Sequence, residues 1–445
     1  MGMIPVGEAG RPYPGKPRSI YFIIAANVLV YIITSYSNLF VTSSDYWIER
    51  LALTPVLLLE PSQWYRLLTC MFLHADIFHI LFNMYFLYIF GREVESTLGT
   101  GKFLALYFIS GLAASFFHIA FTPITGIHTV IIPALGASGA ISGVLGAYLL
   151  LFPNRRVTIC WFMWIIPWCF TTLASYYLIF WFALQVVYGY ARLGSVAFFA
   201  HAGGFVAGIA SLGLFKPRIR PSYYMYMPSW YYNGGFFVEP HYLHVERGLG
   251  SVTKSVLLIL LAALLTGSMY SIIAGYSMET GLYLYNVNVK VGNDLVTDVA
   301  VYSIDKGIVF LPVEDEPRIV VNRLNWAGLF RGPPNSEFND FVFNDMIPTM
   351  FRGIKVHLYL NSIMKYDGNG VLVYSSGKMI TDVLEIRFSR VYIVRDREFV
   401  YSVEAKSVVE NIGSSLIVPF AILSAIVTIM SIYVVYAKDK ELVIE

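Results

Sequence analysis

The sequence predicts a polytopic α-helical membrane protein that carries a mostly β module outside the membrane. Three observations lead there. Of 445 residues, 57% are apolar and 13% charged, whereas a soluble domain holds about 25% charged residues. Eight apolar runs approach or exceed the length of a bilayer-spanning helix, about 20 residues: 19–41, 77–91, 103–121, 138–153, 158–188, 195–215, 255–276 and 412–437. Charge is also unevenly spread. Residues 277–410 hold 14 Lys/Arg and 17 Asp/Glu, 31 of the chain's 60 charged residues, in under a third of its length. These figures exclude a disordered chain, a nucleic-acid binder and an ordinary soluble enzyme. With 31 Lys/Arg against 29 Asp/Glu, no charged tail points to a polyanionic partner.

The first run, 19–41, is too long for a signal-peptide core and lacks a small-residue cleavage pattern, so it reads as a retained span after a cytoplasmic tail, 1–18. The second and fourth runs are short, and flanking residues or local bilayer thinning complete them. The fifth contains Pro167. We read 158–167 as an interfacial or kinked lead-in and 168–188 as the span. The positive-inside rule tests that reading. With eight spans and the N-terminus inside, the short inside segments carry 14 Lys/Arg, and the short outside ones carry Arg50, Arg66 and Arg192. Splitting the fifth run would move the basic stretch Lys216–Arg220 outside.

Spans one to six therefore form a six-helix bundle, 19–215. An inside linker, 216–254, follows. Its Tyr223, Tyr224, Tyr226, Trp230, Tyr231 and Tyr232 suit a membrane interface. Its His241 and His244, with Glu239 and Glu246, have weak metal-site spacing and read as part of a plain interfacial loop. The seventh span, 255–276, and the eighth, within 411–437, flank the charged module 277–410. A short inside tail, 438–445, ends the chain. In the module, Leu282–Val291 alternates with Val287, Val289 and Val291 on one face. In Ile354–Leu360, Ile354, Val356, Leu358 and Leu360 oppose Lys355, His357 and Tyr359. Val371–Tyr374, Val391–Val394 and Phe399–Val403 are further strands, with turns such as Asp367-Gly368-Asn369-Gly370 between them. We expect a sandwich or small open barrel, with Glu314-Asp315-Glu316 in a solvated loop. Cys70, Cys160 and Cys169 are too few for a disulfide framework, and all three are expected as buried thiols.

Polar groups inside a membrane are costly and so are functional candidates. His79 and Asn83, four apart, share one helix face one turn apart, and both can donate toward one point. Alone they read as an interhelical hydrogen-bonding pair. Gly136-Ala137-Ser138-Gly139 opens the fourth span. Ser138 there reads as a cap, yet free N–H groups and the positive helix end also suit an oxyanion hole. His201 sits in Ala200-His201-Ala202-Gly203-Gly204 of the sixth span. It could be a satisfied core histidine, but Gly204 and Gly208 form a small-residue face that matches Gly139, Gly143, Ser142 and Gly146. Joining those faces would bring Ser138 and His201 within reach of each other, with no acid nearby to complete a triad. In the loop before the second span, Trp64 and Arg66, with His74, suit an interface anchor.

Together these residues resemble the rhomboid family of intramembrane serine proteases. The resemblance runs in order through about residues 19–215. It includes Trp64 and Arg66, Phe72-Leu73-His74, His79 and Asn83, then Gly91, Glu95 and Gly99. It continues with Gly136 to Ala140, Arg155-Arg156, Val196-Ala197 and Ala200 to Gly204. It implies a dyad in which Ser138 is the nucleophile and His201 the general base and then acid. It implies an oxyanion hole from the Ser138 N–H and the side chains of His79 and Asn83. The implied reaction is hydrolysis of a peptide bond in or beside a substrate's transmembrane segment, without metal or cofactor. The partners are transmembrane protein substrates and the lipid bilayer, with the site open to the outer face of a cell membrane. Many members place an aromatic one turn after the nucleophile, against the histidine. Here that position is Ser142, so support for His201 must come from elsewhere. The two extra spans and the module 277–410 lie outside the resemblance.

Two other classes compete. A catalytically inactive relative that binds membrane clients for quality control or trafficking usually lacks the serine or the histidine, and both are present here. A transporter needs paired intramembrane charges or broken helices in symmetric halves, and the spans show neither. High tyrosine and low cysteine suit a prokaryotic source, archaeal or thermophilic.

Overall fold

The computed structural model describes residues 3–9, 17–163, 166–193, 197–215, 248–292, 294–349, 354–387 and 390–443. The linker residues with His241 and His244, and Val196, lie outside these. The chain forms two compact units, Met1–Ala274 with Leu416–Glu445, and Gly275–Ser415.

The first unit is a helical membrane body. Its long helices are α1 (Ser19–Ser35), α2 (Ile77–Leu98), α3 (Thr100–Ala120), α4 (Ser138–Leu151), α5 (Ala174–Ala191), α6 (Phe198–Leu214), α7 (Ser251–Gly275) and α9 (Val418–Ala437). Among the described residues, four helical stretches are long and apolar enough to cross a membrane: Ser19–Asn38, Thr100–Ala120, Ser251–Gly275 and Gly413–Ala437. Ser138–Leu151 and Phe198–Leu214 are apolar but shorter. The chain is a polytopic helical membrane protein.

Local chemistry sets the helix ends. The Glu95 carboxylate, inside α2, accepts the N–H groups of Arg18, Ser19 and Ile20 at 2.9–3.1 Å. It thereby caps the start of α1, whose first N–H groups have no intrahelical partner. Gly99, at φ +82°, separates α2 from α3. At Gly91 a side chain would press on Ile20 of α1, so both residues fix the α1–α2 pairing.

The fifth run differs from expectation. Residues 156–173 form a hairpin, β2 (Arg156–Met163) and β3 (Ile166–Leu173), to which the N-terminal strand β1 (Met3–Ala9) adds antiparallel to β2. The helix starts only at Ala174. The stretch is dense in β-branched and aromatic residues, which favour a pleated surface, and Pro167 removes a helix hydrogen bond. Cys160 and Cys169 are paired residues of this hairpin and form a disulfide, while Cys70 is a buried thiol. The expectation of three thiols therefore fails for two. Composition cannot show that two cysteines nine apart face each other on paired strands.

The other two spans dock on this body. The Ser431 hydroxyl of α9 donates to the Val206 carbonyl of α6 at 2.6 Å, and Phe420 stacks on Phe116 of α3. The Tyr190 hydroxyl of α5 donates to the Ala263 carbonyl of α7 at 2.6 Å.

The second unit is one seven-stranded antiparallel sheet and a helix, not a sandwich. The strands are β4 (Glu279–Val291), β5 (Asp294–Ser303), β6 (Gly307–Phe310), β7 (Glu337–Pro348), β8 (Lys355–Tyr366), β9 (Leu372–Arg387) and β10 (Arg390–Asn411), in the order β6-β5-β4-β10-β9-β8-β7. Helix α8 (Asp315–Trp326) supplies the second layer. Tyr283, Tyr285, Val287 and Val289 of β4 and Val356, Leu358, Leu360 and Met364 of β8 bury one sheet face with Val320, Val321 and Leu324 of α8. The short predicted strands merge into longer ones because polar residues on the open face do not interrupt a ladder. The acidic run Glu314–Glu316 is not a loop. It starts α8, where negative charge suits the helix end, and Asp298 accepts the N–H groups of Val313 and Glu314. Arg323 is buried, donating to Thr381 and the Asp382 carbonyl. Burial pulls its pKa down to about 10, against the opposing pull of Asp382.

Candidate active site

The polar residues singled out in the membrane body meet where α2, α4 and α6 begin. Asp76 caps α2 by accepting the His79 N–H at 2.9 Å. That places His79 in the first turn and Asn83 one turn deeper. His79 Nδ1 accepts the Ala75 N–H at 3.4 Å, a weak bond that leaves Nε2 as the donor of the neutral ring. Asn83 is 7% exposed, and its amide Nδ2 is buried with no hydrogen-bond partner among the described residues. A buried donor of this kind is costly unless something else takes its hydrogen bond.

Ser138 is the first residue of α4, not its cap, which is Ala137. The hydroxyl is thus free of capping duty, and the helix's first N–H groups stay unused within it. Gly136 lies just before, at φ +122°, with its N–H donated to the Cys70 carbonyl at 2.8 Å. An added Cβ there would sit 2.8 Å from His79 Nε2 and 3.6 Å from Ser138 Oγ. Glycine therefore keeps open the space between the imidazole and the hydroxyl.

Helix α6 reaches α4 through its glycines. A Cβ on Gly204 would collide with the Gly139 carbonyl, and one on Gly208 with the Gly143 carbonyl. Gly146 lies against the Phe205 carbonyl in the same way. This close approach sets His201 Nε2 2.8 Å from Ser138 Oγ. Ser142 is turned away, donating to the Ser138 carbonyl at 2.6 Å.

The other side of His201 holds what the sequence reading missed. Gln185 of α5, 8% exposed, places its amide oxygen 3.0 Å from His201 Nδ1. The Trp181 ring lies 6.2 Å from the imidazole, tilted by 32°. One signal was available: Gln185 is an uncharged polar residue within an apolar span, a candidate by default.

The loop before α2 is organised around a buried arginine. Arg66 is 2% exposed and donates to the carbonyls of Glu49 and Ala52 and to the Gln63 side chain. A buried guanidinium needs such partners, so it holds the loop together. Trp64 is exposed at 58%, its indole N–H donated to the Leu58 carbonyl. His74 is fully buried, its ring edge-on to His79 at 5.1 Å. Among the described residues no group of three or more His, Cys, Asp or Glu is placed to hold a metal ion.

Chemically, the arrangement offers a hydroxyl on an imidazole, with the His79 ring across the space at Gly136. That is what acyl transfer through an activated serine needs.

Residues 61–218 match the Rhomboid domain. The chain is 32% identical over 142 residues to "Rhomboid protease GluP" of Bacillus subtilis (strain 168), covering 32% of this chain and 26% of that protein. It is 33% identical over 141 residues to "Rhomboid protein 1, mitochondrial" of Saccharomyces cerevisiae, covering 31% and 38%. It is 35% identical over 181 residues to "RHOMBOID-like protein 1" of Arabidopsis thaliana, covering 40% and 41%. The matched stretch thus spans between about a quarter and two fifths of these proteins' own length.

Proposed function

We propose, from the premise that this is a rhomboid-family protein with its Rhomboid domain at residues 61–218, that the chain is an intramembrane serine protease. It hydrolyses peptide bonds in or beside the transmembrane segments of membrane proteins. The observation that carries this reading is the 2.8 Å contact between Ser138 Oγ and His201 Nε2, beside the buried, unpartnered amide of Asn83.

In this mechanism Ser138 Oγ attacks the scissile carbonyl carbon as its proton passes to His201 Nε2. Charge develops on the carbonyl oxygen, which takes hydrogen bonds from the Ser138 N–H, Asn83 Nδ2 and His79 Nε2. The C–N bond then breaks, and His201 returns the proton to the leaving amine. Water next attacks the acyl-serine ester as its proton passes to His201, the C–Oγ bond breaks, His201 returns the proton to Ser138 Oγ, and the acid product leaves. Each oxyanion donor contributes roughly 10²–10³ in rate.

The reading extends to topology. Eight crossings put both termini on the Lys/Arg-rich inner side of a cell membrane and open the site to the outer face. The charge asymmetry of the connecting segments supports it. The module at 277–410 then lies outside and recruits or gates substrates.

Ser138→Ala and His201→Ala should each abolish cleavage of a model transmembrane substrate while the protein stays folded. A fluorophosphonate probe should label wild type at Ser138. A Ser138→Ala variant that cleaves as fast as wild type would overturn the mechanism. A folded wild type that the probe does not label would favour a client-binding relative.

A further inference from the structure

The geometry points to Gln185 as a positioning residue that sets the tautomer of His201 through a neutral amide, where a triad would use a carboxylate. This rests on the protease reading above, since it assigns His201 a proton to move.

The amide is held by its own helix. Gln185 Nε2 donates to the Trp181 carbonyl one turn back, at 3.4 Å, while Oε1 faces His201 Nδ1 at 3.0 Å. The opposite orientation would set the amide oxygen against the Trp181 carbonyl oxygen, two acceptors facing each other. With Oε1 toward the imidazole, Nδ1 must be the donor. The ring proton therefore sits on Nδ1, and the Nε2 lone pair faces Ser138 Oγ at 2.8 Å. That is the tautomer a general base needs. In a triad the carboxylate does two things: it holds this tautomer, and it stabilises the imidazolium that forms. An amide does only the first. When Ser138 attacks, its proton moves to Nε2, and the imidazolium keeps its Nδ1–H on Gln185 until Nε2 gives the proton to the leaving amine.

The same helix turn presents Trp181 to His201 and also to Phe205, 6.0 Å away. The support that Ser142 does not provide thus comes from α5, on the side of the imidazole away from Ser138.

Three substitutions test this with the full-length protein in nanodiscs. Gln185→Met keeps the length of the side chain but removes the acceptor. It should slow fluorophosphonate labelling and lower kcat roughly 100-fold, the lower end of general-base effects, with KM little changed. Gln185→Glu restores an acceptor and adds a charge. It should label at a rate near wild type. Its pH–rate profile should move its acid limb up by about one pH unit or more, because an adjacent carboxylate favours the imidazolium. Gln185→Met at wild-type rate, or both variants equally slow with an unmoved acid limb, would overturn the proposal. A histidine ¹⁵N spectrum of Ser138→Ala reads the tautomer without catalysis. The Nδ1–H form is expected for His201, and the Nε2–H form would sink the inference. An unlabelled wild type would therefore count against the protease reading and leave this spectrum to decide the tautomer.

Discussion

At the scale of single residues, the site depends on what is absent as much as on what is present. Gly136 leaves open the space between His79 and Ser138, and its positive φ disfavours any other residue. Gly136→Ala should therefore cut labelling of Ser138 sharply, while thermal melting shifts by only a few degrees. Asn83 tests the oxyanion donors separately. Asn83→Ala should lower kcat about 10²- to 10³-fold with little change in KM. It removes a donor that meets the carbonyl oxygen only as charge develops there. A single-turnover assay with equal rates in both proteins would remove Asn83 from the mechanism. His79 and Asn83 were legible as a pair because their four-residue spacing puts them on one helix face, and Ser138 and His201 were singled out by matching small-residue faces and by the family resemblance. The roles of Arg66 and Gln185 were not legible. A guanidinium that organises a loop and one that anchors an interface share the same local sequence, and the partners that tell them apart, the Glu49 and Ala52 carbonyls, lie 14–17 residues away.

At the scale of elements, the α4–α6 contact decides the geometry. Gly204 and Gly208 let the two backbones approach until carbonyls fill the place of side chains, and that approach brings Ser138 to His201. Gly208→Leu should push the helices apart, cost about 1–3 kcal/mol of stability through overpacking and lengthen the Ser138–His201 contact. A thermal-shift assay should show a lower Tm, with labelling lost in step. The small-residue faces were visible as a pattern, because a four-residue spacing alone places glycines on one helix side. The hairpin 156–173 was not. An apolar run of that length reads as a helix until its β-branched content and Pro167 are weighed against hydropathy, and only pairing with β1 shows which wins. The α8 start at Glu314 was missed for a related reason, since an acidic run suits a loop and a helix N-terminus equally well.

At the scale of the whole molecule, the chain joins a helical membrane body to a compact unit, Gly275–Ser415, that interrupts it between α7 and α9. Replacing 277–410 with a short flexible linker should preserve labelling of Ser138 and change which substrates are cleaved. Unchanged substrate choice would remove the recruiting role. The sequence by itself determined the membrane class and the charged insert, since these follow from composition and hydropathy along one chain, and it carried an ordered set of residues that resembles the rhomboid family. Only the tertiary structure decided which groups touch. The Ser138–His201 distance and the single sheet of the second unit depend on segments far apart in the chain, while the amide behind His201 and the cysteine bridge depend on how nearer segments pair. Their approach is set by packing, and local sequence does not encode it.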